Sequence, residues 1–454
     1  MKTILILGAG RSASSLINYL CEHANDASWK ILLGDYQLAL AEEKIKKYQG
    51  VATAFQFDIN NEEHKQKYIP QADIIVSMLP ARFHIEVAKI AVENGIPMTT
   101  ASYITEEMQA LNEQAKEKGI ILLNEIGLDP GIDHMSAMKM IEEVKEKGNK
   151  IEGFESFTGG LMAPESDNNP WNYKFTWNPR NVVIAGQGGA VRFLHNGKYK
   201  YIPYHKLFRR TERIEIDHYG SFEGYANRDS LKYVEKYGLE GVPTVYRGTL
   251  RRPGFCRAWN CFVMLGATDD SYVMEDTEDM TYREFINSFL RYNPQDSVEL
   301  KLMQYLKLSQ DDLEMDKLRW LDIFSDKKVG LKSATPAQIL QKILEEKWKL
   351  EKEDKDMIVM YHKLFYQSGD ENIMRTSHMV VKGKDQTFTA MSDTVGIPLA
   401  IATKLILEGK ITKTGTCIPV HKNIYEPVLE ELKQHGIEFV EKEVKMSPSE
   451  LSSL

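Results

Sequence analysis

The chain has 454 residues, of which 43% are hydrophobic and 27% charged, a balance that excludes a disordered or membrane-embedded protein and leaves room for about two or three domains. A formal net charge of -8 argues against a general nucleic-acid binder. No stretch approaches the roughly 20 apolar residues of a membrane span, the run Ile4–Leu7 is too short for a signal peptide, and Cys21, Cys256, Cys261 and Cys417 show neither a C-x-x-C pair nor zinc spacing, so a reducing, cytoplasmic setting and no metal are expected.

Thr3–Leu7 is an apolar run that breaks into Gly8-Ala9-Gly10-Arg11-Ser12-Ala13, after which Leu16, Ile17 and Leu20 keep helical spacing. A plain tight turn accounts for those residues. So does a dinucleotide loop, in which the glycines let the backbone approach a pyrophosphate held at the helix amino terminus, with Ala13 at the third glycine position. The place directly after a strand favours the second reading and makes Gly8, Gly10, Arg11 and Ser12 candidate cofactor contacts.

A second strand, Lys30–Leu33, ends at Gly34-Asp35, somewhat beyond the usual distance of about 20 residues for the acidic group that meets the adenosine ribose. Asp35, with Tyr36 beside it, is that candidate. A carboxylate there accepts both ribose hydroxyls of NAD and repels the 2′-phosphate of NADP, so the residues point to NAD. Val51–Phe57 is a third strand ending at Asp58 and Ile59, near where adenine would lie; Asp73–Leu79 is a fourth, carrying Ser77 and Met78. Helix His84–Glu93, strand Met98–Ala101 followed by Ser102 and Tyr103, helix Glu106–Lys118 and strand Ile120–Leu123 complete a βα series, expected to form a Rossmann-type doubly wound parallel sheet with Ile120–Leu123 as its last strand. Ser77, Met78, Ser102 and Tyr103 stand at carboxyl ends of strands, where loop packing and ligand contact are both open.

Asn124–His134 then joins this pattern to a differently composed region. Pro130 and Gly131 force an irregular turn that brings Asp129, Asp133 and His134 near the sheet's mouth, ahead of a helix opening near Asp133. Helix caps and a core histidine account for these three residues, and so does an acid and base pair.

Beyond Gly148 the pattern alternates: Ile151–Phe157, Val182–Ala185, a turn at Asn196-Gly197 and Ile214–His218 suggest a mixed sheet built largely of hairpins. Lys206, Arg209, Arg210 and Arg213, then Arg247, Arg251, Arg252 and Arg257, form basic clusters whose interspersed Gly, Pro and Thr suggest loops; they are either a solvated face or forks for carboxylates. Thr281-Tyr282-Arg283-Glu284 has capping-box spacing, Ser297–Leu308 and Pro336–Trp348 read as helices with Thr335 placed to cap the latter, and strands resume at Met357–Tyr366, His378–Lys382 and from Thr387. Helices Ile397–Leu407 and Leu429–Gln434 and a strand Ile437–Val440 close the chain. The expected domains are 1–128 rejoined by 395–454 for the dinucleotide, 129–280 with 357–394 as a mixed α/β substrate-binding and dimerisation domain, and a small helical insertion at 281–356.

Five separated segments carry a resemblance. Asn124–His134, Gly159-Gly160-Leu161 with Ala163-Pro164-Glu165, Tyr173-Lys174-Phe175 with Trp177, Asn227-Arg228-Asp229-Ser230 and Arg247-Gly248-Thr249-Leu250-Arg251 resemble, in order, the saccharopine reductases, the glutamate-forming saccharopine dehydrogenases of lysine metabolism. The resemblance spans nearly the whole chain and implies three domains, a homodimer, a small amino-acid substrate, and an oxidoreductase that acts on the CH–NH group of saccharopine. In that family 2-aminoadipate 6-semialdehyde and glutamate condense to an imine that a nicotinamide cofactor reduces, and the reverse oxidises saccharopine. Carried over by position, it implies substrate contacts at Ser102, Tyr103, Arg228, Thr249, Leu250 and Arg251, and joint cofactor and substrate contacts at Leu128, Asp129 and Pro130. Asp129 is the first candidate to hold or protonate the reacting nitrogen, Tyr103 the second, His134 the third.

Two departures stand out. Fungal members use NADP and carry a basic residue after the second strand, where this chain has Asp35 and Tyr36, so the resemblance points to NADP(H) and the residues to NAD(H). Those members also have a cysteine before the paired glycines, where this chain has Thr158. Two other functions fit the same architecture: reduction of a different imine, as in a carboxynorspermidine dehydrogenase, and a non-catalytic dinucleotide sensor. A diamine partner asks for more carboxylates and fewer arginines, and a sensor loses the substrate arginines that this chain has.

Overall fold

Short apolar runs separated by helical stretches assemble, in the computed structural model, which describes residues 1–447, into a seven-stranded parallel sheet. Strands β1 (Lys2–Leu7), β2 (Trp29–Asp35), β4 (Ile74–Ser77), β5 (Met98–Thr99) and β6 (Ile121–Leu123) are buried in their central residues, as sheet strands covered by helices on both faces must be, whereas β3 (Ala52–Gln56), at the sheet's edge, buries only Phe55. The order across the sheet is Gly415–Cys417, β6, β5, β4, β1, β2, β3. Ile120–Leu123 is therefore not the last strand, because Gly415–Cys417 pairs outside it, Cys417 beside Leu123. Three residues are too few for a periodic signal, which is why this edge strand escapes a sequence reading. Leu7 pairs with both Gly34 and Ser77, so β1 ends level with β2 and β4, and the chain reverses its winding there. That is where ligands of open α/β sheets sit.

The first compact unit comprises Met1–Ile151, Tyr366–Asp370 and Met379–Lys442. Its inclusion of the helix Ile132–Glu146 moves the boundary from the expected 128 to 151. The reason is burial: Met135, Ala137, Met140 and Ile141 of that helix are enclosed, and its Glu142 accepts a hydrogen bond from Tyr425 in the returning segment. The returning segment contributes the helix Ala390–Leu407, longer than the expected 397–407, because Thr389 accepts the Ser392 amide as its N-cap. The strand expected from Thr387 does not form; Asp385 instead accepts the amides of Thr387 and Phe388 in a turn. By length and composition Ala390–Leu407 could cross a membrane, which corrects the expectation that no stretch comes near, yet 72% of it is buried inside the unit as a core helix.

Among the described residues the second unit comprises Glu152–Phe365, Glu371–His378 and 443–447. The nine-stranded mixed sheet to which it contributes most residues runs Thr211–Ile216, Gly220–Ala226, Thr244–Arg251, Lys150–Met162, Asp356–Ser368, Glu371–Lys382, Val440–Met446, with the hairpin Val191–His195 and Lys198–Ile202 joined to Thr244–Arg251. The turn at Asn196-Gly197 closes that hairpin as expected. Val182–Ala185 is not a strand: Pro179 opens the short helix Pro179–Val183, whose Arg180 and Asn181 amides are accepted by Asn178. The capping boxes at Thr281 and Thr335 both form. The stretch 281–356 is not a separate body. Phe285, Leu340, Ile343 and Trp348 share one core with Trp171, Tyr173, Trp259 and Phe262, and each such buried side chain contributes roughly 1.5–3 kcal/mol of burial.

Candidate active site

The turn after β1 is built for close approach. Gly8 has φ +105°, and a Cβ there would stand 2.8 Å from the Met78 carbonyl oxygen, so only glycine fits. A Cβ on Gly10 would meet no protein atom within 4 Å, so packing does not explain that glycine, whereas a pyrophosphate lying against the loop does. Arg11 is exposed and Ser12 half-buried in the single turn that leads into the helix Ser14–Ala24. Behind it, Ser392 Oγ accepts the Ser15 amide at 3.0 Å, and Ser15 Oγ donates to Asp393 at 2.5 Å, which fixes the helix start from the returning segment.

Asp35 ends β2 and ties the loop down. Its Oδ2 accepts the Ala9 amide at 2.7 Å and its Oδ1 the Gln37 amide at 2.8 Å. Each carboxylate oxygen retains a second lone pair, the acceptor that a ribose hydroxyl requires. Tyr36 beside it is 67% exposed. Asp58 caps the following turn through the Asn60 amide, and Ile59 is buried, so its side chain packs in the core. These residues form a cradle that fits a dinucleotide.

At the ends of β4 and β5 a histidine that the sequence reading passed over links two candidates. His84 Nδ1 stands 2.8 Å from Ser77 Oγ, and its Nε2 stands 2.7 Å from Ser102 Oγ. Ser77 is wholly buried and Met78 half-buried, so the Ser77 hydroxyl serves the histidine. Burial pushes the His84 imidazole down to about 4, which leaves it neutral near pH 7. The available signal was a histidine opening a helix just after a buried strand. His84 and Tyr103 also line a small cavity with Arg82 and Asn124.

The segment after β6 turns back on itself. Gly131 has φ +148°, and a Cβ there would fall 2.1 Å from the Gly127 carbonyl oxygen. Pro130 O accepts the Gly127 amide at 3.0 Å, and Gly127 O accepts the Ile132 amide at 2.8 Å. This tight knot leaves Asp129 half-buried at its tip, between buried Leu128 and Pro130, and Tyr103 donates to Asp129 Oδ1 at 3.1 Å. The two leading candidates are thus brought together. Asp133 and His134 lie elsewhere than at the expected mouth: they are 1% and 0% exposed. Asp133 Oδ1 accepts the Gly131 amide at 2.6 Å, a helix-start role. His134 stands between carboxylates, with Nε2 2.8 Å from Glu125 and Nδ1 3.4 Å from Asp133. Glu125, also missed from the sequence, accepts the Ile104 amide at 3.0 Å next to Tyr103.

In the second unit the basic clusters divide. Lys206, Arg209, Arg210 and Arg213 are exposed, a solvated face. Arg247 and Arg251 are not on a loop as expected but on the strand Thr244–Arg251, and both are buried. Arg252 donates to the Tyr219 carbonyl at 2.8 Å, and Arg257 pairs with Glu314 at 2.6 Å. Arg251 is the unusual one. Its guanidinium lies 5.0 Å from the Tyr173 ring and 5.3 Å from the Phe255 ring, Nη1 donates to the Leu250 carbonyl at 2.8 Å, and its buried Nε has no hydrogen-bond partner. An unmatched buried donor on a cation costs about 1–3 kcal/mol unless an anion meets it. Thr249 is half-buried, Leu250 wholly buried, and Arg228 is exposed in a left-handed turn with φ +51°. Leu250 therefore offers its backbone and a wall rather than a reaching side chain. Thr158 Oγ1 is buried without a hydrogen-bond partner.

Residues 4–123 match the family model described as the saccharopine dehydrogenase NADP binding domain, and residues 127–437 that of the saccharopine dehydrogenase C-terminal domain. A saccharopine dehydrogenase [NADP(+), L-glutamate-forming] of Schizosaccharomyces pombe is 32% identical over 450 residues, covering 97% of this chain and 99% of its own. The mouse mitochondrial alpha-aminoadipic semialdehyde synthase is 35% identical over 448 residues, 96% of this chain, so the chain spans about half of that relative, 47% of its length. Among solved structures, apo saccharopine dehydrogenase (L-Glu forming) from Saccharomyces cerevisiae superposes with a TM-score of 0.88 at 32% identity, covering 98% of this chain and 100% of that one.

Proposed function

The chain belongs to the saccharopine dehydrogenase family, and from that premise we propose that it interconverts saccharopine with glutamate and 2-aminoadipate 6-semialdehyde, as a nicotinamide-dependent oxidoreductase of lysine metabolism. The observation that carries this reading is the 3.1 Å hydrogen bond from Tyr103 to Asp129 at the carboxyl ends of the strands that follow the dinucleotide loop. A bound nicotinamide dinucleotide supplies the hydride acceptor or donor.

In the oxidative direction the secondary amine of saccharopine loses a hydride from carbon and a proton from nitrogen, giving an imine. Water then adds to the imine carbon, and the C–N bond breaks with nitrogen leaving on glutamate. Both stages need a group that takes a proton at nitrogen and returns it. Asp129 is that group in this account, and one of its carboxylate oxygens accepts from Tyr103. Tyr103 orients the carboxylate and can stabilise oxygen at the carbinolamine stage. His134, enclosed between Glu125 and Asp133, acts as a support for the turn that carries Asp129, while Glu125 holds the backbone beside Tyr103.

Saccharopine carries three carboxylates. Arg251, with its unmatched Nε, and Arg228 are the cations proposed to take two of them, with Thr249 and Ser102 adding hydroxyls. For the cofactor, Asp35 without a neighbouring cation at Tyr36 or Gln37 favours NAD over NADP, since a 2′-phosphate beside that carboxylate is repelled. Saccharopine with NAD and with NADP in parallel tests both statements: reduced nicotinamide forming faster with NAD is expected. Equal or greater rates with NADP refute the role of Asp35, and no reduction with either refutes the activity.

A further inference from the structure

We propose that His84 is a positioning residue that aims the Ser102 hydroxyl, with Ser77 as its buried anchor, and that it does so as the Nε2–H tautomer. Both hydroxyls sit on one imidazole: Ser77 on Nδ1 at 2.8 Å and Ser102 on Nε2 at 2.7 Å. The ring is 4% exposed, so no solvent partner competes. A neutral imidazole has one donor and one acceptor nitrogen, and the two serines must therefore be bound with opposite polarity.

Geometry selects which way the polarity runs. Nε2 faces two oxygens, Ser102 Oγ at 2.7 Å and Thr100 Oγ1 at 3.4 Å. One N–H can be shared between two acceptors, whereas the single in-plane lone pair of an unprotonated ring nitrogen takes one donor. Thr100 Oγ1 already behaves as an acceptor, for the Ser102 amide at 3.3 Å. The arrangement that satisfies both oxygens at once puts the hydrogen on Nε2, so that Nδ1 accepts from Ser77. The consequence falls on Ser102. Its oxygen is occupied by His84, and its own hydrogen is directed away from the ring, available to a carboxylate. The opposite tautomer would consume that hydrogen on Nε2 and present only lone pairs to an anion.

This inference rests on the reading of Ser102 as a substrate contact for what the hydroxyl is aimed at, but the tautomer itself can be measured without substrate. Nitrogen NMR of the full chain labelled at histidine nitrogens, at neutral pH, is the test, with the His84 signals identified by their loss in His84→Gln or, should that variant not fold, in His84→Asn. The expected pattern is an Nε2 of protonated type and an Nδ1 of acceptor type, and in Ser102→Ala a measurable transfer of the hydrogen toward Nδ1. An Nδ1–H tautomer in the parent chain, or His84 signals that Ser102→Ala leaves unmoved, would overturn the proposal. The kinetic arm is His84→Asn, expected to raise KM for saccharopine roughly tenfold while kcat changes less; an equal fall in kcat with KM unmoved contradicts the aiming role. If the parent chain shows the expected tautomer but does not turn over saccharopine, the substrate reading fails and the His84 relay stands.

Discussion

Tyr103 donates to Asp129 Oδ1 across 3.1 Å, joining the loop after β5 to the turn after β6. Two strand ends adjacent in the sheet thereby present one phenol–carboxylate pair, the pair proposed to handle the proton, and the pairing of Thr99 with Leu123 fixes their register. Replacing Asp129 by Asn keeps the shape and removes the base. The expected result is a fall in kcat/KM for saccharopine of about 10²–10⁴ with dinucleotide affinity retained. Tyr103→Phe should cost about tenfold, the value of one hydrogen bond. Steady-state kinetics beside cofactor titration checks both, and an Asp129→Asn variant with parent kinetics would remove Asp129 from the mechanism.

Arg251 makes an unusual stability prediction. Its Nε is buried and unmatched, so Arg251→Met is expected to raise KM for saccharopine by roughly 10–100-fold while the folded protein becomes no less stable. Thermal melting and kinetics on the same preparation separate the two effects. A large loss of stability would mean that the cation over Tyr173 and Phe255 serves packing.

Asp35 accepts the Ala9 amide and so ties down the loop, and it is also the residue proposed to set cofactor choice. In Asp35→Ser the preference for NAD over NADP is expected to fall by roughly tenfold or more, as the like-charge term disappears. NAD affinity should fall too, since the loop loses its tie. The ratio of kcat/KM values for the two cofactors measures the first effect independently of the second.

His84 gives a pH prediction. Its folded value of about 4 lies below the model-peptide value of 6.5, so as pH falls the unfolded chain takes up the proton first. Stability contributed by the neutral ring is fully present above about 6.5 and is lost progressively between there and 4, amounting to about 3 kcal/mol. Denaturant unfolding of the parent and His84→Gln at pH 7 and pH 4.5 should show the parent losing more. Equal losses would contradict the burial argument.

Gly131→Ala tests the knot. A Cβ 2.1 Å from the Gly127 oxygen cannot be accommodated without opening the turn, so a loss of roughly 3 kcal/mol or more and of activity is expected. A stable, active variant would mean that the turn can relax, and that Asp129 is not held by it.

Much of this was legible before any coordinates. The glycine loop, Asp35 at the end of the second strand and the alternation through Leu123 specify the parallel sheet, because buried strands and helix starts leave strong local signals. Capping boxes at Thr281 and Thr335 are local in the same way. What escaped was set by tertiary contact. The Gly415–Cys417 strand is too short to show a period, and Val182 and Val183 look like a strand until Asn178 and Pro179 start a helix. Arg251 reads as a loop cation because its sequence neighbours are Gly, Thr and Pro, and only its position on a central strand buries it under Tyr173. His84 and Glu125 carry no motif at all; their partners lie 18 and 9 residues away in sequence, and the fold alone brings them together. Tyr103 and Asp129 were each candidates from their places at strand ends, and only their pairing came through the resemblance.

The most direct test of the central claim is mass analysis of the products formed from saccharopine and oxidised cofactor. Oxidation on the lysine side of the bridging nitrogen predicts glutamate, 2-aminoadipate 6-semialdehyde and reduced nicotinamide in equal amounts. Release of lysine and 2-oxoglutarate instead would mean that the other carbon is oxidised, and would contradict the account.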